Sequence, residues 1–136
     1  MTQVVVDSSA IVALLLDAGD AGQWATAALD GADLAAPHLM PFEASNVIRR
    51  HELAHILSAD QAAQAHADLL DLDVELWPYD LLARRAWELR PNLSAYDASY
   101  VALAELLVAP LVTLDDRIGR APGPRCAVHT PSRPAG

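Results

Sequence analysis

The stretch VVVDSSA, residues 4–10, decides the fold class. Three consecutive β-branched valines predict a short buried strand, and this strand ends at Asp7. The chain then switches to the apolar run AIVALLL, residues 10–16, which predicts a helix with a serine at its N-cap. A buried strand that leads directly into a helix is the first half of a β–α unit.

The rest of the chain repeats this alternation of strand and helix. Ser58 and Gln61 have the spacing of a capping box and predict the start of one of the helices. The alternation predicts an α/β fold, in which a mainly parallel sheet carries helices on both faces. Further strands are predicted at 33–38, 73–79, 110–115 and 126–130, and further helices at 20–30, 40–54, 58–71, 81–89 and 94–108.

Size and termini predict a single domain. A chain of 136 residues is long enough to bury one core, and we expect this domain to occupy residues 1–130. The Pro- and Arg-containing end, residues 131–136, is predicted to be a disordered tail. No apolar run is long enough to cross a bilayer, and Asp7 interrupts the start where a signal peptide would be apolar. A single cysteine, Cys126, fits a reducing compartment, so we expect a cytoplasmic protein without membrane contact.

The charge balance limits the partners. The net charge is −9, from 18 acidic residues against 9 arginines and no lysine. Such a chain lacks the cations for a broad basic face that binds nucleic acid, so any contact with phosphate must be mediated by added cations. The same charge suits a basic protein partner.

Four acidic residues stand at positions that converge in a parallel sheet. Asp7 and Asp115 follow strands, while Glu43 and Asp97 lie in the first turns of helices. Each position alone is explained by capping, turn formation or the helix dipole. Jointly, such ends meet at the carboxyl edge of an α/β sheet, where ligands bind.

Clustered carboxylates predict a metal site. Neighbouring carboxylates repel one another unless a cation neutralises them, and oxygen-only clusters suit Mg²⁺ or Mn²⁺. The chemistry expected there is phosphodiester hydrolysis by metal-activated water. Asn46 and Arg50 share a helical stripe with Glu43, and Arg50, with Arg49 beside it, is predicted to contact substrate phosphate.

Several segments together resemble a known family. VVVDSSA, FEASNVIRR, SAYDASYVALAELL and PLVTLDDRI are similar, in this order, to the motifs of PIN-domain ribonucleases, in particular the VapC-type toxins of bacterial toxin–antitoxin pairs. The resemblance runs from about residue 4 to residue 120. It implies a PIN-like α/β/α sandwich, cleavage of RNA dependent on Mg²⁺ or Mn²⁺, a homodimer, and a cognate VapB-type antitoxin that blocks the site.

Carried over residue by residue, the resemblance implies roles for individual side chains. The metal-site acids, which are also the catalytic residues, are Asp7, Glu43, Asp97 and Asp115. The supporting polar residues are Ser8, Ser9, Asn46 and Thr113. The acid doublet leaves two candidates for the last position. We prefer Asp115, which directly follows the strand, and we assign Asp116 a supporting or capping role.

The segment HELAH, residues 51–55, matches the H-E-x-x-H motif of zinc metallopeptidases. The extended motif fails, because Gln61 stands where a third histidine is needed. The zinc peptidase is therefore an unfavoured alternative, and the two histidines are predicted to lie at the surface or in an interface. A second alternative is a catalytically silent PIN domain that only binds an antitoxin.

Trp77, Trp87 and Tyr100 are predicted to lie in the core.

Overall fold

The computed structural model describes residues 2–132 and contains a five-stranded parallel sheet. The strand order is β3-β2-β1-β4-β5, and every neighbouring pair is parallel. The α/β/α sandwich with a parallel central sheet is thereby confirmed. The strands are β1 Gln3–Val6, β2 Asp33–Pro37, β3 Val74–Trp77, β4 Leu111–Val112 and β5 Val128–His129.

Helices follow most strands, as the sequence predicts. The capping box is present, with the Ser58 hydroxyl accepting from the Gln61 N–H at 3.1 Å and the Gln61 side chain accepting from the Ser58 N–H at 2.9 Å. A short 3₁₀ turn, Tyr79–Leu81, precedes the fifth helix. The helices are α1 Ser8–Leu16, α2 Asp20–Leu29, α3 Met40–Leu53, α4 Ala59–Asp71, α5 Ala83–Glu88, α6 Ala95–Leu107 and α7 Asp116–Arg120.

The core lies between the centre of the sheet and helix α6. Val5 and Val6 on β1 are fully buried, as are Leu111 and Val112 on β4 within about one percent of exposure. Helix α6 is buried along the seven consecutive residues 98–104. Burial on all sides explains why this helix is composed mainly of small and apolar residues.

Three predicted strands are clearly shorter than the sequence pattern indicates, including 126–130, which is a strand only at Val128–His129. The segment 110–115 is a strand only at Leu111–Val112; the Pro110 carbonyl and the Thr113 N–H still bond to neighbouring strands at 2.9 and 3.1 Å, and Asp115 already caps α7. The segment 73–79 is a strand only over Val74–Trp77, and Pro78, which lacks an N–H, follows it. Strand β3 therefore ends at a proline, and strand β4 ends just before the side-chain cap of α7.

Of the three aromatic residues predicted to lie in the core, Trp87 does not lie there. Tyr100 is 2% exposed and Trp77 packs against the core. Trp87, by contrast, is 64% exposed, and the guanidinium of Arg90 lies 4.5 Å from the centre of its ring. This cation–π contact covers one face of the indole, so the side chain does not need the core.

The topology places a switch point beside β1. The chain continues from β1 to β2 on one side, while β4 pairs with the other side of β1. In open α/β sheets a ligand crevice forms at such a point, outside the carboxyl ends of the strands. The residues that directly follow β1 and β4 therefore face a common crevice.

Within residues 2–132, no helix combines the length and the apolar character that a bilayer span requires. The described part of the chain ends in a turn at 131–132. The prediction of a disordered tail over 131–136 otherwise concerns residues 133–136, which lie outside the described residues.

Candidate metal-binding site at the carboxyl edge of the sheet

Asp7 lies at the centre of the site, immediately after β1. Asp7 is only 6% exposed, and it is the N-cap of α1 in place of the predicted serine, since its Oδ1 accepts the Ala10 N–H at 3.1 Å. This capping hydrogen bond uses one lone pair of the Asp7 carboxylate. Burial raises the pKa of Asp7 from 3.8 to about 6, against hydrogen bonds that lower it.

Two hydroxyl groups hold the Asp7 carboxylate in one orientation. Ser9 Oγ donates to Oδ1 at 2.6 Å, and Thr113 Oγ1 donates to Oδ2. These hydroxyls in turn accept backbone N–H groups after β4, from Leu114 at 3.0 Å and from Asp115 at 2.9 Å. The carboxyl ends of β1 and β4 are thus joined by one hydrogen-bonded network.

Glu43 approaches the same crevice from the first turn of α3. Its Oε1 accepts a hydrogen bond from the buried Tyr100 hydroxyl at 2.6 Å. Partial burial raises the pKa of Glu43, while hydrogen bonds from Tyr100 and Ser8 lower it and the charge of Asp97 raises it. Ser8, predicted as a supporting residue, therefore acts on Glu43, whereas Ser9 acts on Asp7.

Asp97 reaches the crevice from the start of α6. Its backbone N–H is capped by Ser94 Oγ at 3.1 Å, and its side chain is half-buried. Partial burial is the main cause that raises the pKa of Asp97, and the charge of Asp115 raises it further. The side chain of Asp97 is not fully buried, because the residues at the N-terminus of α6, 94–96, are exposed.

Asp115 completes the group of acids and is paired with an arginine. It caps α7, and its Oδ1 and Oδ2 accept Arg117 Nε at 3.0 Å and Nη2 at 2.6 Å. This ion pair lowers the pKa of Asp115. Asp116 points elsewhere, accepting from Thr130 Oγ1 at 3.2 Å and pairing with Arg120 at 3.3 Å.

The four acids predicted from the sequence are therefore brought into mutual electrostatic range. The charge of Asp97 raises the pKa values of both Asp7 and Glu43, and Asp115 acts in the same way on Asp97. Mutual repulsion of this kind marks a pocket that is short of positive charge. The whole group lies around the carboxyl ends of β1 and β4.

The other predicted side chains lie further along α3. Asn46, Arg49 and Arg50 are all exposed. Arg50 follows Glu43 by seven residues, or about 10 Å along the helix axis at 1.5 Å per residue. These residues lie beside the crevice and outside the hydrogen-bonded network around Asp7.

The HELAH segment does not form the helical pair that a zinc peptidase needs. Helix α3 ends at Leu53, so His51 lies in its last turn and His55 lies beyond it. His55 has a left-handed φ of 61° and is exposed. Two histidines share a helical face only when both lie in the helix. The H-E-x-x-H spacing therefore does not indicate a zinc site here.

The donor set fits a hard divalent ion, although the acids are not closed around a metal position. Within residues 2–132, no three His, Cys, Asp or Glu side chains are grouped so that they could hold a metal ion as they stand. Uncompensated carboxylates repel one another, and the Asp115 carboxylate is turned to Arg117. Carboxylate oxygens around a buried Asp7 with a raised pKa still provide the ligands that Mg²⁺ and Mn²⁺ prefer.

Two residues of the site were missed by sequence reasoning. Tyr100 was assigned to the core, which is correct for its ring, but its hydroxyl binds Glu43. It lies three residues after Asp97, and this helical spacing is the signal that could have indicated it. Arg117 is exposed and lies in the first turn of α7, two residues after Asp115, a spacing that gives no sequence signal of an ion pair.

The parallel sheet and the acids at its switch point define the class of protein, an α/β/α sandwich of the PIN type. Residues 4–124 match the PIN domain family. Ribonuclease VapC9 of Mycobacterium tuberculosis is 41% identical over 125 residues, which cover 92% of this chain and 95% of that protein. The chain therefore belongs to the PIN-domain family.

Solved structures show the same fold. FitAcB from Neisseria gonorrhoeae superposes with a TM-score of 0.70 at 18% identity, covering 95% of this chain and 98% of that chain. A toxin–antitoxin complex from Klebsiella pneumoniae gives a TM-score of 0.65 at 20% identity, covering 94% and 97%. At these identities the likeness establishes the fold alone.

Proposed function

We propose that this protein is a Mg²⁺- or Mn²⁺-dependent endoribonuclease and the toxin of a toxin–antitoxin pair. The observation that carries the proposal is the convergence of Asp7, Glu43, Asp97 and Asp115 at the switch point of the sheet, with Asp7 buried. Its relative VapC9, 41% identical, is named a ribonuclease. The negative chain also needs a cation to approach phosphate.

In this proposal the four acids hold the divalent ion. When bound, the ion supplies activation of a water molecule and neutralisation of charge on the leaving oxygen. The Ser9 and Thr113 hydroxyls keep the Asp7 carboxylate in a fixed orientation. The Tyr100 hydroxyl holds Glu43 Oε1 in place for the same purpose.

RNA approaches from the solvent side of the crevice. Glu43 and Asp97 are half-buried and reach this side, whereas Asp7 lies beneath them. The exposed Arg49 and Arg50, with the amide of Asn46, provide donors for substrate phosphates along α3. Only a few cations serve this purpose, so we expect binding to RNA to be weak without the divalent ion.

An antitoxin of the VapB type is the proposed protein partner. The structural neighbour from Klebsiella pneumoniae is described as a toxin–antitoxin complex. A net charge of −9 and an acidic crevice favour a partner segment that carries arginine or lysine. A homodimer is part of the same proposal.

An RNA cleavage assay tests the proposed function. Purified wild-type protein is incubated with a structured RNA in Mg²⁺, in Mn²⁺ and in EDTA, next to Asp7→Asn and the matched control Asp71→Asn. Asp71 is an exposed acid at the end of α4, so its substitution removes the same charge outside the site. We expect cleavage by wild type and Asp71→Asn with either metal, and at least a hundred-fold loss in Asp7→Asn.

Cleavage that persists in EDTA, or in Asp7→Asn at the wild-type rate, contradicts the proposal. A protein that binds its antitoxin but cleaves no RNA with either metal is a silent binding module instead. Peptide hydrolysis that depends on Zn²⁺ and on His51 would favour the zinc peptidase.

A further inference from the structure

Arg117 occupies an unusual place at the edge of the acidic crevice. Its Nε and Nη2 lie 3.0 and 2.6 Å from the two oxygens of Asp115, a bidentate arrangement. Its own backbone N–H also donates to Asp115 Oδ1 at 3.0 Å. A single residue thus supplies three donors to one of the four acids of the site.

The guanidinium also influences a second acid. Its charge lowers the pKa of Asp97, opposing the effect of burial there, and Asp97 in turn raises the pKa of Arg117. Arg117 is therefore the positive charge that acts on two of the four acids in the described structure. A divalent ion held by the same carboxylates would bring a like charge close to this guanidinium, which is unfavourable.

The ion pair is also easy to open. The Arg117 side chain is 78% exposed, compared with 23% for the Asp115 side chain. Water can solvate the guanidinium fully once it leaves Asp115, so displacement costs little compared with a buried pair. Geometry and exposure together describe a counterion that is close to the acids and replaceable.

We propose that Arg117 is a built-in counterion that competes with the divalent ion for Asp115, and that metal binding displaces its guanidinium from this carboxylate. The inference rests on the proposed function, because it assumes that the four acids bind a metal. It assigns to Arg117 a positioning role: the arginine holds Asp115 ready and limits the affinity for metal. Arg117 does not touch the reacting atoms in this account.

The test measures Mn²⁺ binding directly, without RNA. The Mn²⁺ dissociation constant is determined by electron paramagnetic resonance for wild type, Arg117→Ala, Arg117→Lys and Arg120→Ala. Arg120 is the matched control, because it lies on the same short helix and pairs with the other acid of the doublet, Asp116, at 3.3 Å. Arg120→Ala therefore removes the same charge without opening Asp115.

We expect Arg117→Ala to bind Mn²⁺ about two- to five-fold more tightly than wild type, the range for removing one exposed ion pair. Arg120→Ala should stay closer to wild type, since the charge of Arg120 acts on Asp115 without a hydrogen bond and its ion pair is with Asp116. Arg117→Lys keeps the charge but loses the fork that matches a carboxylate, so its affinity should fall between those of wild type and Arg117→Ala. The difference should shrink at high salt, which screens exposed pairs.

Unchanged or weaker Mn²⁺ binding in Arg117→Ala overturns the inference, as does an equal gain in Arg120→Ala. Asp7→Asn separates this result from a failure of the proposed function. Suppose that Arg117→Ala gives such a result, while wild type binds Mn²⁺ and Asp7→Asn does not. The metal site then stands, and only the role of Arg117 is wrong. If wild type binds no Mn²⁺, both proposals are wrong.

Discussion

At the scale of single residues, the site depends on the carboxylate of Asp7, which the fold buries. Asp7 is buried, caps a helix and receives two hydroxyl donors, yet its pKa is still raised to about 6. The hydrogen bonds limit the cost of burying this charge without removing it. In the metal-free protein, burial therefore favours the protonated form of the Asp7 carboxyl.

This situation predicts a pH dependence of stability. Because the folded-state pKa of Asp7 exceeds 3.8, the folded chain holds its proton more tightly, and the contribution of Asp7 is most favourable below about pH 4. That contribution is lost as the pH rises through about 6. The full loss corresponds to roughly 3 kcal/mol, somewhat less than half of it between pH 5 and pH 7.

Urea unfolding in EDTA at pH 5 and pH 7 measures this effect against Asp7→Asn, which has no carboxyl to titrate. We expect the unfolding free energy of wild type, relative to Asp7→Asn, to fall by about 1 kcal/mol across this interval. Other acids titrate in both proteins, so most of their contribution cancels in the difference. A gap that is constant or widens in favour of wild type with rising pH contradicts the raised pKa.

A second prediction at this scale concerns the Tyr100 hydroxyl. Tyr100→Phe keeps the buried ring but removes the 2.6 Å hydrogen bond to Glu43, and with it an interaction that lowers the pKa of Glu43. We expect a loss of about 1 kcal/mol in unfolding free energy and roughly ten-fold weaker Mn²⁺ binding. Calorimetry measures both quantities.

Tyr96→Phe is the control for this substitution, because Tyr96 lies on the same helix and is 65% exposed. It should leave stability and Mn²⁺ affinity close to wild type. If the two variants bind Mn²⁺ equally well, the Tyr100 hydroxyl does not position Glu43.

The four acids could be predicted because local sequence signals mark them. Asp7 and Asp115 follow apolar strands, and Ser94 has the capping distance to Asp97. The partners of these acids could not be predicted in the same way. Tyr100 meets Glu43 across 57 positions of the sequence, and only the packing of α6 against its neighbours brings them together.

At the scale of elements, the helix ends show where local sequence and backbone agree and where they do not. The capping box of α4 forms as its sequence predicts. Helix α6 instead ends with Val108 in a left-handed conformation, φ 51°, where glycine is the usual residue. The Ala109 N–H still bonds to the Ala104 carbonyl at 2.9 Å, so the turn forms despite a β-branched residue.

This feature predicts a stabilising substitution. Val108 is 92% exposed, so Val108→Gly removes left-handed strain without opening a cavity. We expect a gain of about 1 kcal/mol, or about 3 °C in Tm, by differential scanning calorimetry. Val108→Ala keeps the Cβ and should gain less; a Val108→Gly variant less stable than wild type contradicts the strain.

The boundaries of elements were harder to predict than their existence. HELAH has the spacing of a helical motif, but α3 ends inside it, and the chain turns at His55. The segment 110–115 is predicted to be a strand, but the strand covers only Leu111–Val112. Helix α3 ends in a local turn, in which the Ile56 and Leu57 N–H groups bond to the His51 carbonyl at 2.9 and 3.1 Å, and hydrophobic periodicity does not mark such a turn.

At the scale of the whole molecule, topology converts scattered acids into one site. The alternation of strands and helices predicts a parallel sheet, and a parallel sheet gathers the ends of its strands at one edge. The strand order could not be read from the sequence, yet it decides that β1 and β4 are neighbours and that Asp7 meets Thr113. A chain of charge −9 thereby concentrates part of its negative charge in one crevice.

The most direct test of the central claim is a heat-unfolding titration of wild type and Asp7→Asn with Mg²⁺ and Mn²⁺. If the converging acids form a metal site, both ions stabilise wild type in a concentration-dependent way, by about 2.7 kcal/mol at a hundred-fold excess over Kd. Asp7→Asn should lose this stabilisation while remaining folded. Equal shifts in the two proteins, or no shift in wild type, would contradict a metal site built around Asp7.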